Sequence, residues 1–106
     1  MDPLIASIIW FAGNFAPEGY LYCNGATLPI QRNEALYSLV GNYYGGNVRD
    51  NNFKLPDLRP DVIEYQITKD KDGNQQVIAV VKGKRDWRPD EAKCLIATQG
   101  VYPSRP

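Results

Sequence analysis

The stretch Tyr20-Leu21-Tyr22-Cys23-Asn24-Gly25-Ala26-Thr27-Leu28 sets two short apolar runs on either side of an Asn-Gly pair. Asn-Gly accepts the positive φ angles of a tight two-residue turn, so Tyr20 to Cys23 and Ala26 to Leu28 are expected to pair as a small β-hairpin. Upstream, Phe15-Ala16-Pro17-Glu18-Gly19 is a turn by composition, with Pro17 presetting φ and Gly19 free to take a positive one. Residues 4 to 12, rich in Ile, Trp and Phe and followed by Gly13-Asn14, are expected to form a mostly buried strand at the centre of a sheet. Downstream the period changes. Ala35, Leu36, Leu39 and Val40 lie at helical spacing, Asn33 is placed to cap, and Gly41-Asn42 ends the run, which predicts one short helix over roughly residues 33 to 41. So short a helix needs a sheet to dock on. Residues 42 to 54 are dense in Gly and Asn and read as a long loop anchored by Tyr43, Tyr44 and Phe53.

Beyond Leu55-Pro56-Asp57-Leu58-Arg59-Pro60 the composition shifts. Residues 1 to 53 carry only Arg32 and Arg49 as basic groups, whereas every lysine lies after them, so the second half is the more solvated one. Val62, Ile63, Tyr65 and Ile67 make one β-like run and Val77, Ile78, Val80 and Val81 another. The Asp-Gly in Lys69-Asp70-Lys71-Asp72-Gly73-Asn74 makes the piece between them a charged hairpin tip. Asp70, Asp72 and Asn74 alternate like the start of a calcium loop, but Val81 stands where the bidentate Glu belongs, which favours a solvated tip. Pro89-Asp90-Glu91 resembles a helix start or turn, Cys94 to Ala97 a last buried strand, and Val101 to Pro106 an extended tail. The expected fold is α+β: a small mixed sheet with one short helix packed on it, a β-hairpin arm and a C-terminal strand, all in one domain. Its parts are a core over 1–59, an arm over 60–88 and a strand and tail over 89–106.

Composition removes several functions. The chain has 12 Lys+Arg against 12 Asp+Glu, and without a basic surplus it lacks the footprint of a nucleic-acid binder. With no histidine, the usual zinc and non-haem iron sites, Ser-His-Asp triads and Cys-His pairs are not available. Asp57, Arg59, Asp61 and Glu64 show no spacing that separates them from turn and surface charges, so no catalytic residue, metal or cofactor is expected. Cys23 and Cys94 can close one long loop or stand as two buried reduced thiols. Their apolar neighbours favour the second. The N-terminal apolar run is short and opens on an acid, which argues against a signal peptide and against membrane insertion, for a soluble protein made in the cytosol. A chain of 106 residues buries roughly two-thirds of its unfolded surface, a marginal core that favours self-association.

The order Phe11-Ala12-Gly13-Asn14-Phe15-Ala16-Pro17-Glu18-Gly19-Tyr20, Cys23-Asn24-Gly25, Leu28-Pro29-Ile30, the helix Asn33 to Gly41, Tyr44-Gly45-Gly46 and Phe53 to Arg59 resembles the phage tail collar domain. It looks most like the branch known as microcystin-dependent proteins, whose C-terminal strand and tail Cys94 to Arg105 also resembles. The resemblance implies a non-enzymatic structural domain of the phage tail fibre, collar or baseplate region, often trimeric, near the part that meets the host. It implies a virion location and other tail or baseplate proteins as partners. The residues that carry it are Gly13, Asn14, Pro17, Gly19, Cys23, Asn24, Gly25, Pro29, Gly45, Gly46, Pro56, Asp57 and Arg59, which suit backbone shaping and not chemistry. The sequence departs from the family at Pro60-Asp61, where members have Gly, and in having only the hairpin of residues 62 to 82 in place of a long insertion.

An alternative function is a receptor- or glycan-binding adhesin at the fibre tip. Its candidate contacts are Tyr43 and Tyr44, in a loop that is hard to bury, and the cluster around Arg85, Trp87 and Arg88. The blander reading folds Trp87 back onto the core and assigns Trp10, Phe11, Phe15 and Tyr37 to the interior.

Overall fold

The computed structural model describes residues 2–105; Met1 and Pro106, the outer ends of the expected core and tail, lie outside them. The described chain has one α-helix and seven strands, the α+β class expected, with the strands divided among three small antiparallel sheets. Strands β1 (Ile8–Phe11) and β2 (Tyr20–Tyr22) flank β7 (Lys93–Ala97). Strands β3 (Thr27–Pro29) and β4 (Asn52–Lys54) pair with each other, and so do β5 (Asp61–Lys69) and β6 (Gln75–Lys84). The helix α1 spans Glu34–Val40.

All five residues of β7 are buried, because it has a strand on each edge and packed side chains on both faces. Ile96 stands opposite Ile8 on one side and Leu21 on the other, and Leu95 opposite Ile9 and Tyr22. The expected C-terminal strand is therefore present as the central one. The N-terminal strand is not: β1 lies at the edge, with Ile8, Ile9 and Trp10 exposed, because β7 takes the middle and leaves β1 a single neighbour.

The expected hairpin at Asn24-Gly25 does not form. Asn24 Oδ1 accepts the Ala26 N–H at 3.1 Å and Gly25 has φ +78°, so the chain does turn there, but the flanking runs enter different sheets. Residues 23–26 run beside 55–58 instead. Leu58 N–H donates to the Cys23 carbonyl at 2.8 Å, Leu55 N–H to that of Ala26 at 3.0 Å, and Gly25 N–H to that of Pro56 at 3.3 Å.

Helix α1 faces Leu36 and Val40 into one core with Ile5, Cys23, Phe53, Leu55, Cys94 and Ile96, with Tyr37 packed against it. Gly41 ends the helix, its N–H donating to the Tyr37 carbonyl at 2.7 Å. The Asn33 side chain does not cap as expected; it donates to the Pro29 carbonyl at 3.0 Å and so ties the helix entry to β3. The 42–54 segment is more ordered than the loop expected. It contains a 3₁₀ turn at Val48–Asp50 held by Asn47, whose Oδ1 accepts the Asp50 N–H at 2.9 Å, and then β4 with Phe53 fully buried.

The arm matches its expected limits within a few residues. Its tip closes on Asp70, whose Oδ1 accepts the N–H groups of Asp72 at 2.9 Å and Asn74 at 2.8 Å. The Asp70 carboxylate thus organises a turn. The aromatics were only partly placed by the sequence. Tyr37 meets Phe53 edge-on at 5.3 Å, as a core residue does, but Trp10 is 61% and Phe15 67% exposed, contrary to their expected burial. Phe15 packs edge-on against half-buried Phe11 at 6.2 Å and stays on the surface because it sits in a bend with no sheet above it.

Gly46 shows what the glycines do. At φ +83°, a Cβ there would stand 2.6 Å from Phe53 Cα, so the loop passes β4 with no room for a side chain. Gly46→Ala is expected to lower the unfolding free energy by about 2 kcal/mol, from a strained φ and a displaced β4. A urea-denaturation midpoint unchanged from wild type would contradict this.

Candidate functional site

The residues that begin and end the arm form the most densely bonded polar region of the described chain. Asp57 and Arg59 are two residues apart on the stretch beside 23–26, which turns both side chains toward the arm base. Arg59 Nε and Nη2 donate to the two Asp57 oxygens at 2.9 and 2.8 Å, and Arg59 Nη1 reaches Asp86 at 3.0 Å. The guanidinium hydrogen bonds hold the Asp57 carboxyl below its ordinary range, and the two carboxylates raise the Arg59 pKa further. Gly25 completes the corner, since a Cβ there would lie 3.4 Å from the Asp57 side chain.

The return strand is fixed in the same manner. Arg85 Nη1 and Nη2 donate to Glu91 Oε1 and Oε2 at 2.7 and 2.9 Å, while Glu91 Oε1 also accepts the Arg88 N–H at 2.7 Å. The Arg85 N–H donates to the Pro60 carbonyl at 3.0 Å, joining the exit of the arm to its entry. Lys93, buried at the head of β7, spends its ammonium on the carbonyls of Glu91 at 2.8 Å and Pro89 at 3.3 Å. The 89–91 segment is thus a turn and not a helix start.

Between these ion pairs lies a cleft of about 210 Å³ walled by Tyr22, Asn24, Asp86, Trp87 and Lys93. Trp87 is half-buried, its ring 6.1 Å from that of Tyr22, so it folds back on the core as the blander reading held while leaving one edge on the cleft. Beneath, the Cys23 N–H donates to the Cys94 carbonyl at 3.0 Å, and the two thiols are free and fully buried. Burial pushes both thiols up from the ordinary cysteine range, which makes them inert packing groups.

The sequence candidates do not converge on one surface. Arg85 is occupied by Glu91, and Arg88 is exposed. Tyr43 and Tyr44, 90% and 55% exposed, follow α1 and are not among the walls of the Trp87 cleft. What the sequence missed is the lock itself. Asp57 and Arg59 were legible as motif residues, but the Arg59–Asp86 and Arg85–Glu91 pairs were not, since the fold makes them.

A family model of the phage tail collar domain matches residues 6–63, more than half of the chain. The chain belongs to the phage tail collar domain family. No curated protein and no solved structure matches it. Membership fits a structural role in the phage tail, association with other tail proteins and a place in the virion tail. Among the described residues no helix is long and apolar enough to cross a membrane.

The collar motif positions have identifiable tasks in this frame. Cys23, Asn24 and Gly25 lie along Pro56, Asp57 and Arg59 in the corner described above, with an isolated bridge between Asn24 and Asp57. Gly45 and Gly46 lie against Lys54 and Phe53, and the Pro29 carbonyl receives Asn33. Pro17 and Gly19 form the turn into β2, the Pro17 carbonyl accepting the Tyr20 N–H at 3.0 Å and that of Gly19 accepting the Thr98 N–H at 2.8 Å. A Cβ on Gly13 would enter the Phe11 ring, and exposed Asn14 sits in the same bend.

The Arg85–Glu91 pair has a defined pH signature. Its hydrogen bonds lower the Glu91 pKa from 4.5 to about 2, so the folded state holds this carboxylate charged where the unfolded chain would protonate it. The stabilisation is complete above about pH 4.5 and is lost as pH falls from there through about 2. Wild type is therefore expected to melt above Glu91→Gln at pH 6, with the two melting temperatures converging between pH 4.5 and 2. A gap independent of pH would show that the pair does not carry this difference.

Proposed function

We propose that the chain is a non-catalytic structural component of the phage tail fibre, collar or baseplate region. It associates with copies of itself, as a trimer, and connects or caps the fibre near the host-contacting end. On this reading it is a shortened member of the microcystin-dependent branch, in which the hairpin arm stands in for the long insertion.

One observation carries the self-association. The chain exposes 7631 Å², whereas a folded monomer of 11.9 kDa is expected to expose about 5,900 Å². Its radius of gyration is 18.4 Å, against about 13 Å for a compact domain of this length. The surplus of roughly 1,700 Å² is that of a chain drawn out by its arm, and it is surface that neighbouring copies are free to cover.

Sedimentation of the purified chain tests the proposal. The expected species has three times the 11.9 kDa chain mass. A strict monomer that also fails to bind other tail proteins would overturn it.

A second reading, attachment to a host glycan or surface protein, is favoured by the exposure of Tyr43 and Tyr44 and by the open edge of Trp87. On that reading, Tyr44→Ala and Trp87→Ala each reduce adsorption to host cells at least about tenfold, the effect of removing an aromatic hot spot. Adsorption at the wild-type level would dismiss attachment through these rings.

A further inference from the structure

We propose that the cleft at the arm base binds one ring of a neutral sugar, packed against Tyr22 and Trp87 and hydrogen-bonded to Lys93, Asn24 and Asp86. The inference rests on the attachment reading above and names its place and its class of ligand.

Lys93 is the residue that points to a ligand. It is 7% exposed and belongs to none of the ion pairs among the described residues, so its charge is met only by the carbonyls of Glu91 and Pro89. An ammonium has three donors, which leaves one N–H in the wall of the cleft without a protein acceptor. A buried donor without a partner costs free energy, and an oxygen seated in the cleft removes that cost. Two further groups have capacity to spare among the described residues. Asn24 Oδ1 takes the Ala26 N–H and leaves the side-chain amide N–H groups free, while Asp86 Oδ1 takes Arg59 and leaves Oδ2 free. The groups are in place before a ligand arrives, since Asn24 is held by its turn and its bridge to Asp57, Asp86 by Arg59 and Lys93 by β7. Little side-chain freedom is then lost on binding.

The chemistry of the walls selects the ligand. One carboxylate and one ammonium line the cleft without pairing with each other, so an anion meets a like charge in Asp86 and a cation meets one in Lys93. An apolar molecule would leave the spare donors and the spare acceptor desolvated and unpaired. A hydroxyl suits both signs, because it accepts from Lys93 or Asn24 and donates to Asp86 without a charge of its own. Tyr22 and Trp87, with ring centroids 6.1 Å apart and planes tilted by 37°, add an apolar wall for the C–H groups of a sugar ring. At about 210 Å³ the cleft is smaller than the roughly 300–1,000 Å³ of pockets that take drug-sized ligands, which limits it to one ring.

The test titrates the isotope-labelled full chain with the methyl glycosides of glucose, galactose, mannose and N-acetylglucosamine, followed by NMR. At least one is expected to shift the Trp87 indole and Asn24 side-chain amide resonances saturably. Glucuronic acid and glucosamine, which bring a charge of one sign or the other, are expected to bind at least about threefold more weakly than that glycoside. Trp87→Leu is expected to weaken binding at least about tenfold. If that variant fails to fold, Asp86→Ala decides, since the Asp86 side chain is 90% exposed; it too is expected to cost at least about tenfold. No saturable shift with any of the four glycosides, or wild-type affinity in Asp86→Ala, would overturn the cleft as a sugar site. Wild-type adsorption to host cells by a phage whose Asp86→Ala chain no longer binds the sugar would overturn attachment and leave the sugar site standing. Adsorption that falls in Tyr44→Ala while no glycoside binds would leave attachment standing without this site.

Discussion

The structure depends on β7. Strands β1 and β2 each pair with it and not with each other, so the sheet exists only once residues 93–97 are inserted between residues 8–11 and 20–22. Burying Cys94, Leu95, Ile96 and Ala97 on both faces supplies the surface on which α1 and β4 build the rest of the core. The collar motif at 6–63 holds most of the shaping residues, but its sheet lacks the middle strand without a segment outside that match.

This arrangement explains the arm. The chain leaves the core at Pro60 and must return to β7, so whatever lies between is an excursion from a domain whose halves are closed together at Lys93. The ion pairs at Asp57, Arg59, Asp86, Arg85 and Glu91 gather at the two ends of that excursion. Each is partly exposed and individually weak, as surface pairs are. Together with the Arg85 to Pro60 backbone bond they fix the direction in which the arm leaves.

Sequence reading went furthest where local chemistry decides. Helix α1 was legible from its apolar period and Gly41, and the arm from two β-rich runs around Asp-Gly. The Asn24-Gly25 hairpin failed because the dipeptide reports a turn and not the partners of the strands it joins. Those partners, residues 93–97 and 52–58, are distant in sequence. Trp10 and Phe15 were expected in the interior because apolarity alone does not distinguish a core from an exposed surface. The ion pairs at the arm base could not be read, since the charges at positions 59 and 86 become neighbours only through the fold.

The late arrival of the central strand has a consequence for synthesis. About 70 residues separate β2 from β7, so at roughly 5–20 residues per second the ribosome leaves β1 and β2 without a partner for on the order of several seconds. Throughout that interval Ile8, Ile9, Trp10 and Leu21 line two open strand edges on a nascent chain. The hairpin arm is complete and local before β7 emerges, so it can form first. Assembly is thereby ordered in time: the projection that reaches outward is made while the sheet beneath it is still waiting for its last strand.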